Sequence, residues 1–435
     1  MGSRKWAAAL SLLSIGLLAA CGTNTENGKS GSSGKEPQPL ADPTTQPANL
    51  VIFDTTGEKV ELLMDKYGTK LKEKFPKFNF EIVQKVDSKT LPNLITGGTP
   101  IDIVVESTGV SVLEYGLQDD ISDLIAKYKF DLNRLEPTTV EIQRKLAGGG
   151  LYGLPTWTRS MALYYNKDLF DMFGVSYPKD GMTWDELYEL TRKMTRSEGG
   201  RQYKGLTMAF EFGLMLNQLE APSQDAASGK ALFLQDGFKK AFENQARFYQ
   251  IAGNGLPGNR FYLDNQQNPF YKDKTAAMFL TLTGAEKIYK DSVNWDIASF
   301  PVFPGKEGIG SQSYPTYFFL SKTSKNREAA FQVLNYMTSD EFQNYSARSG
   351  NITILKDTSV MKQFAVDLPY VKGKNMKAVL PAKYAVPTLK TKHNGIANKE
   401  LLAALEAVSK GADYVTALRE ASERNDKEVG SLSGK

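Results

Sequence analysis

Asn49-Leu-Val-Ile-Phe53 is a short apolar run rich in strand formers, and Val60, Leu63, Met64, Tyr67 and Leu71 follow at a spacing that lays one apolar stripe along a helix. Phe78 to Val83 alternates, as a strand with one buried face does, whereas Ile101-Asp-Ile-Val-Val105 is almost continuously apolar, as in a strand covered on both faces. The order predicted is β-α-β-α-β. Right-handed crossovers would make these strands parallel and set the loops Asp54-Thr55-Thr56 and Glu106-Ser107-Thr108 side by side at the carboxyl edge, where open α/β sheets bind ligands.

The helical pattern returns further on. Thr183-Trp-Asp-Glu186 spells a capping box ahead of Leu187, Leu190 and Met194. Asn326 to Met337 carries an apolar face of Ala330, Leu334 and Met337, and Ser339 starts a second helix that stops near Gly350. Leu401, Leu402, Leu405 and Val408 mark another helix before Gly411, and a polar tail follows Arg424. No internal repeat is visible. Gly148, Gly150 and Gly153 match G-x-G-x-x-G, but the run leads into Leu154-Pro155 and an extended segment instead of opening a helix, so it does not read as a nucleotide fingerprint.

At the amino end, Arg4 and Lys5 precede an apolar run from Trp6 to Ala20 that closes as Leu18-Ala-Ala-Cys21. At roughly 15 residues the run is shorter than the ~20 needed to cross a bilayer, and small residues stand at a cleavage position, so residues 1–21 read as a secretion signal. Cys21, the one cysteine of the chain, resembles in this setting the lipobox cysteine of bacterial lipoproteins. That resemblance implies a lipid anchor on the outer side of the cell membrane, and it leaves the mature chain without a disulfide or thiolate metal site. Residues 22–48 are mostly Gly, Ser, Thr, Asn, Gln, Pro and Lys, a flexible tether with an end-to-end distance of roughly 30 Å. About 414 residues remain after Cys21's peptide bond is cut, enough for two or three domains. The formal net charge is +4, and loss of Arg4 and Lys5 leaves +2, which with scattered lysines gives no sign of a nucleic-acid partner. His393 is the only histidine and sits in a polar Lys-Thr-Lys-His-Asn stretch, read as a surface loop; its solitude excludes His triads and multi-His zinc sites.

Three blocks now stand in a telling order: Tyr152-Gly-Leu-Pro155, Leu163-Tyr-Tyr-Asn-Lys-Asp-Leu-Phe170 and Met182-Thr-Trp-Asp-Glu-Leu187. With Ala276-Ala-Met-Phe-Leu280, Ser324-Lys-Asn-Arg-Glu-Ala-Ala330 and Thr338-Ser-Asp-Glu341, they resemble the family of bacterial extracellular solute-binding proteins that includes the maltose-binding type. The resemblance implies an α/β, type II periplasmic-binding-protein-like fold, each lobe a mostly parallel sheet flanked by helices. Lobe 1 would take 49–160 plus 313–348 and lobe 2 would take 161–312 plus 349–435, with a hinge where the chain crosses. The implied role is capture of a small solute, a carbohydrate first, by a monomer that delivers it to an ABC permease without cofactor, metal or catalysis.

A sugar offers apolar C–H faces and a rim of hydroxyls, so its site needs flat rings beside carboxylates, amides or Arg. Trp157 and Arg159 supply both at a crossing and rank first; core packing of the indole is the alternative. Glu106 and Thr56 end two strands at the expected sheet edge. Phe210, Glu211 and Thr283 fall on family-like positions facing the cleft from lobe 2, although ring burial is the commoner fate of the pair Phe210 and Phe212. The chain departs from the family pattern after Gly284, where Ala285-Glu286 replaces an aromatic; Tyr314 and Tyr317, at the return crossing, could supply the stacking instead. Two other classes share these features: a secreted polysaccharide hydrolase using Glu106 and Glu211 as its carboxylate pair, and a lipoprotein that reports ligand to a membrane receptor. Peptides, polyols and charged metabolites stay open as ligands.

Overall fold

The computed structural model describes residues 42–435 apart from 257, 259, 286–288, 291 and 434–435. The segments read as leader and tether lie outside the described residues up to residue 41, with Cys21 among them, as does Glu286. Beyond them the expected tether is already built into the body: Pro43–Thr45 form a 3-10 turn and Ala48 opens the first strand.

Along the chain the strands are β1 (Ala48–Asp54), β2 (Phe78–Gln84), β3 (Ile103–Glu106), β4 (Gly153–Trp157), β5 (Met161–Asn166), β6 (Arg196–Glu198), β7 (Arg201–Met208), β8 (Ala276–Leu282), β9 (Trp295–Ser299), β10 (Ile309–Gln312), β11 (Thr316–Leu320) and β12 (Lys383–Ala385). They form two five-stranded sheets, β2-β1-β3-β11-β4 and β6-β7-β8-β5-β9, and a small β10-β12 pair. β1 pairs parallel with β2 and β3, as right-handed crossovers require, while β11 returns from far along the chain and inserts antiparallel between β3 and β4. In the second sheet β7, β8 and β9 share one direction and β5 and β6 oppose it. The result is the two-lobe α/β fold expected, with mixed sheets.

Burial on both faces explains the continuous apolar runs. Side chains alternate across a strand, so Leu50, Ile52, Ile103, Val105, Phe318 and Leu320 enter one core of the first sheet, and Phe53, Val104, Tyr317 and Phe319 enter the other. In the second sheet Leu163, Met278 and Leu280 point to one side, Tyr164, Phe279 and Ile297 to the opposite one.

The helical readings hold, with physical amendments. The capping box forms in full, Glu186 N donating to Thr183 Oγ1 at 3.1 Å and Thr183 N to Glu186 Oε2 at 2.7 Å. Ser339 caps Asp340–Arg348 with its hydroxyl alone, which accepts from Phe342 N at 3.2 Å. The stripe from Val60 to Leu71 is helical but widens into a π turn over Met64–Gly68, which directs Lys66 as well as Tyr67 inward. The polar tail after Arg424 is a continuation of the helix Tyr414–Ser433: Asn425 is fully buried and accepts from Gln224 Nε2 at 2.9 Å, so its polarity serves an internal bond. Among the described residues, no helix is long and apolar enough to cross a membrane.

The glycine-rich run lies in a loop that enters β4. A side chain on Gly153 would collide with the backbone of Phe318 and Phe319 on β11, so this glycine permits the close approach of two strands. Gly153→Ala should therefore lower stability by about 1–3 kcal/mol, read from urea denaturation; an unchanged midpoint would refute this reading of the β4–β11 contact.

Candidate functional site

Among the described residues three segments cross between the lobes, the third of them following the helix Asp340–Arg348. Between β4 and β5 the chain passes through Thr158-Arg-Ser160, and between β10 and β11 it returns through Ser313-Tyr-Pro315. These two segments are bonded to each other: Arg159 N donates to Tyr314 O at 3.1 Å and Tyr314 N to Arg159 O at 2.9 Å. The third crossing is held beside them by Thr158 N to Ile352 O at 2.9 Å. On the other side, Ser160 N donates to Thr283 Oγ1 at 3.2 Å and Thr283 N to Ser160 O at 2.8 Å, clipping the crossing onto the second sheet.

Arg159 and Tyr314 both line a cavity of about 420 Å³, inside the ~300–1,000 Å³ range of small-molecule sites. One wall comes from the carboxyl ends of β1 and β3, with Thr55, Thr56, Glu106, Ser107, Thr108 and Ser111, and with Lys66 and Lys85 alongside. The facing wall carries Phe212, Leu282, Lys390, Thr391, Lys392, Asn394 and Gly395. Phe212 meets Tyr314 edge to face, ring centres 6.0 Å apart, giving the cavity an aromatic floor. The arrangement offers an apolar surface within a ring of donors and acceptors.

The first wall is fixed by its own hydrogen bonds. Asp54, buried at the end of β1, accepts from Thr56 N at 2.8 Å, from the Thr56 hydroxyl, and from Tyr67 Oη at 3.0 Å. Glu106 accepts from Ser111 N at 3.2 Å and from Thr108 Oγ1 at 3.3 Å. Burial raises both carboxyls above their usual range, with these hydrogen bonds opposing it. Glu58 joins two cations, reaching Lys66 Nζ at 2.7 Å and the Arg159 guanidinium at 3.6 Å. On the second wall, Lys390 Nζ donates to Met215 O at 2.8 Å and Thr388 Oγ1 at 2.7 Å, both neutral acceptors, and burial lowers its pKa to about 7. Burial also raises the Tyr314 phenol, with Ser107 as its partner and Arg159 opposing.

Four of the predicted residues, Thr56, Glu106, Arg159 and Tyr314, converge on this cavity. The others sit elsewhere. Trp157 is a core residue, 1% exposed and stacked on Tyr67 at 6.3 Å, with Lys66 Nζ 4.7 Å from its ring centre; it backs the cavity from one layer behind. Phe210 is fully buried against Phe242 and Tyr249, and its helix neighbour Phe212 takes the cavity position instead. Glu211 bonds Gln266 Nε2 at 3.1 Å and does not line the cavity, so the hydrolytic pairing with Glu106 is not assembled. Thr283 is the buried clip on Ser160, and Tyr317 is buried with its hydroxyl donating to Thr139 O at 2.8 Å. His393, read as a surface loop, is half-buried and stands at the start of the helix Asn394–Ser409. Lys66, Lys85, Lys390, Lys392 and Asn394 were not anticipated. For Lys390 to Asn394 there was a signal, a polar run directly ahead of an amphipathic helix.

A sequence profile described as bacterial extracellular solute-binding protein matches residues 57–344, and the chain belongs to that family. A binding protein of Brucella abortus is 25% identical over 308 residues, covering 66% of this chain and 70% of the relative. The sn-glycerol-3-phosphate-binding periplasmic protein of Rhizobium meliloti is 22% identical over 228 residues, 50% of this chain and 52% of the relative. Among solved structures, an ABC substrate-binding protein of Listeria monocytogenes in complex with cycloalternan superposes with a TM-score of 0.69 at 19% identity, covering 88% of this chain and 100% of that one. Maltose-bound MalE3 of T. maritima gives 0.64 at 17% identity, with 88% and 100% covered. These structures share the fold.

Two outcomes test the placement. Trp157→Ala should cost about 3–5 kcal/mol of stability, as removal of a buried indole does; a melting curve like that of the unaltered chain would put the ring outside the core. The raised Glu106 carboxyl keeps its proton to higher pH in the folded chain than in the unfolded one. The stability this gives is complete below the usual value of 4.5 and is lost as pH rises through the folded-state value. Glu106→Gln stays neutral throughout, so its melting temperature relative to the unaltered chain should climb from below pH 4.5 to neutrality. A difference flat with pH would remove Glu106 as the source.

Proposed function

We propose that this chain is the lipid-anchored, extracytoplasmic capture component of an ABC importer, a monomer that binds a carbohydrate between its lobes and releases it unaltered to a permease. The observation that carries the reading is the cavity itself. It lies where the chain crosses between lobes, and an aromatic floor of Tyr314 and Phe212 stands beside Arg159, Glu106, Thr56 and Asn394. Rings bury the C–H face of a sugar, and the polar rim bonds its hydroxyls. The cycloalternan and maltose held by two solved proteins of this fold support a saccharide, and one from Agrobacterium vitis holds D-mannitol. The lipid would sit on Cys21. In this reading the lobes are 49–160 plus 313–348 and 161–312 plus 349–435, and rotation between them is absorbed at the crossings beside Arg159 and Tyr314. Ligand favours the closed form by as much as it binds that form better than the open one.

A thermal-shift screen over oligosaccharides, monosaccharides and polyols should find a ligand, since saturation at 100 times Kd adds about 2.7 kcal/mol to stability. Solution scattering should then show the particle contract. With that ligand, Tyr314→Ala and Arg159→Ala should each weaken binding by about 2 kcal/mol, roughly thirtyfold. A ligand that stabilises the chain yet leaves its dimensions unchanged, with both variants binding normally, would sink the hinged-capture reading.

A further inference from the structure

The lysines that look scattered along the sequence meet in one place. Five cationic side chains line the cavity: Lys66, Lys85, Arg159, Lys390 and Lys392. The chain as a whole has a formal net charge of only +4. Among the described residues, Glu106 lines the cavity on the first wall, with Asp54 and Glu58 near it, and each is already engaged there: Asp54 by Thr56 and Tyr67, Glu106 by Ser111 and Thr108, Glu58 by Lys66 and Arg159.

Among the described residues, those that line the cavity on the second wall include no carboxylate side chain. The Lys390 ammonium is held by a carbonyl and a hydroxyl, acceptors that fix its position without neutralising it, and burial there works against its charge. Lys392 is exposed at the rim, two residues on. The helix Asn394–Ser409 begins on the same wall with no side-chain cap at its N-terminus, so its positive dipole end adds to the field. Lys85 extends from the opposite wall, exposed.

We propose that the solute bound in this cleft is anionic, a carbohydrate or polyol bearing a carboxylate or phosphate that is seated against Lys390 and Lys392, with Lys85 meeting it from the other lobe. This rests on the capture reading above and adds the charge of the cargo. The neutral part of the solute lies over Tyr314 and Phe212. The anionic group supplies a counter-ion to Lys390 and Lys392, through charge-assisted hydrogen bonds.

The test is a set of calorimetric titrations of the full chain at low salt with matched pairs: a uronic-acid disaccharide against the neutral disaccharide, and glycerol 3-phosphate against glycerol. Inorganic phosphate and citrate serve as anions without a carbohydrate part. At least one charged member should bind tenfold or more tightly than its neutral partner, and the advantage should shrink as salt is raised from 50 to 500 mM, since mobile ions screen rim charges. Whichever pair shows the advantage distinguishes carboxylate from phosphate. In Lys392→Gln and Lys390→Gln the charged-to-neutral affinity ratio should fall toward one; Lys392 is exposed, so its variant gives the answer even if Lys390→Gln does not fold. Neutral members binding as well as charged ones, binding to no probe, or a ratio that neither variant moves would each overturn the proposal. In the first of these cases carbohydrate capture stands. Binding of inorganic phosphate or citrate alone would support the anionic cleft and overturn the carbohydrate reading instead.

Discussion

The mutual hydrogen bonds of Arg159 and Tyr314 are the constraint on which the site depends. Two backbone segments that run between lobes in opposite directions are held in register by this pair of bonds, with Met161 N to Ser311 Oγ at 2.9 Å beside it, and each contributes the side chain of the bonded residue to the cavity. A crossing segment must be extended and pliable, yet its polar groups cannot be left unpaired where it is buried. Pairing one crossing with the other satisfies both demands. The neighbouring anchors, Thr158 on Ile352 and Ser160 on Thr283, limit the free length to a few residues, so any rotation of the lobes must turn about the very place where ligand would be held.

The sheets serve this arrangement by being rigid. Both faces of each are covered by apolar cores, which leaves the carboxyl ends of β1 and β3 as the natural place for polar side chains to emerge. Asp54 and Glu106 occupy those ends and are spent largely on holding their own loops in place. Trp157 has a related task. Its ring supports Lys66 from behind, and the π turn at Met64–Gly68 carries Lys66 to the cavity while Tyr67 stays in the core. Positioning is thus built in two layers, with Trp157 and Tyr67 behind the residues that line the cavity.

What the sequence disclosed follows from which interactions are local. The opening β-α-β-α-β order, the capping box at Thr183 and the cap at Ser339 depend on residues a few positions apart, and they are present as read. The sheet-edge rule pointed to Thr56 and Glu106 and the crossing to Arg159 and Tyr314, and these four line the cavity. The errors lie where orientation decides. Trp157 and Arg159 are two residues apart, yet the β4–β11 pairing shifts register at Thr156, just ahead of Trp157, and its ring turns into the core. Phe210 and Phe212 exchange roles because the short helix Phe210–Met215 turns only one of them toward the crossing. Tyr317 lies on β11, where alternation sends it to the far core. Family blocks locate segments; they do not say which side of a segment faces the cavity.

The uneven supply of counter-ions between the two walls bears on how closure could be driven. Every carboxylate of the first wall is bonded within that wall or to the crossing, so its geometry is set before any solute arrives and changes little in free energy when one does. The second wall holds Lys390 among neutral acceptors, in a charge state that burial opposes. In the proposed capture reading, a solute that settled first on the preformed wall would meet Lys390 and Lys392 only as the lobes approach, so their contribution would belong to the closed form alone. An interaction confined to one of two states is what shifts the balance between them, whereas contacts made equally in both leave it untouched. On that proposal, the wall that holds Lys390 among neutral acceptors would be the one to couple binding to closure.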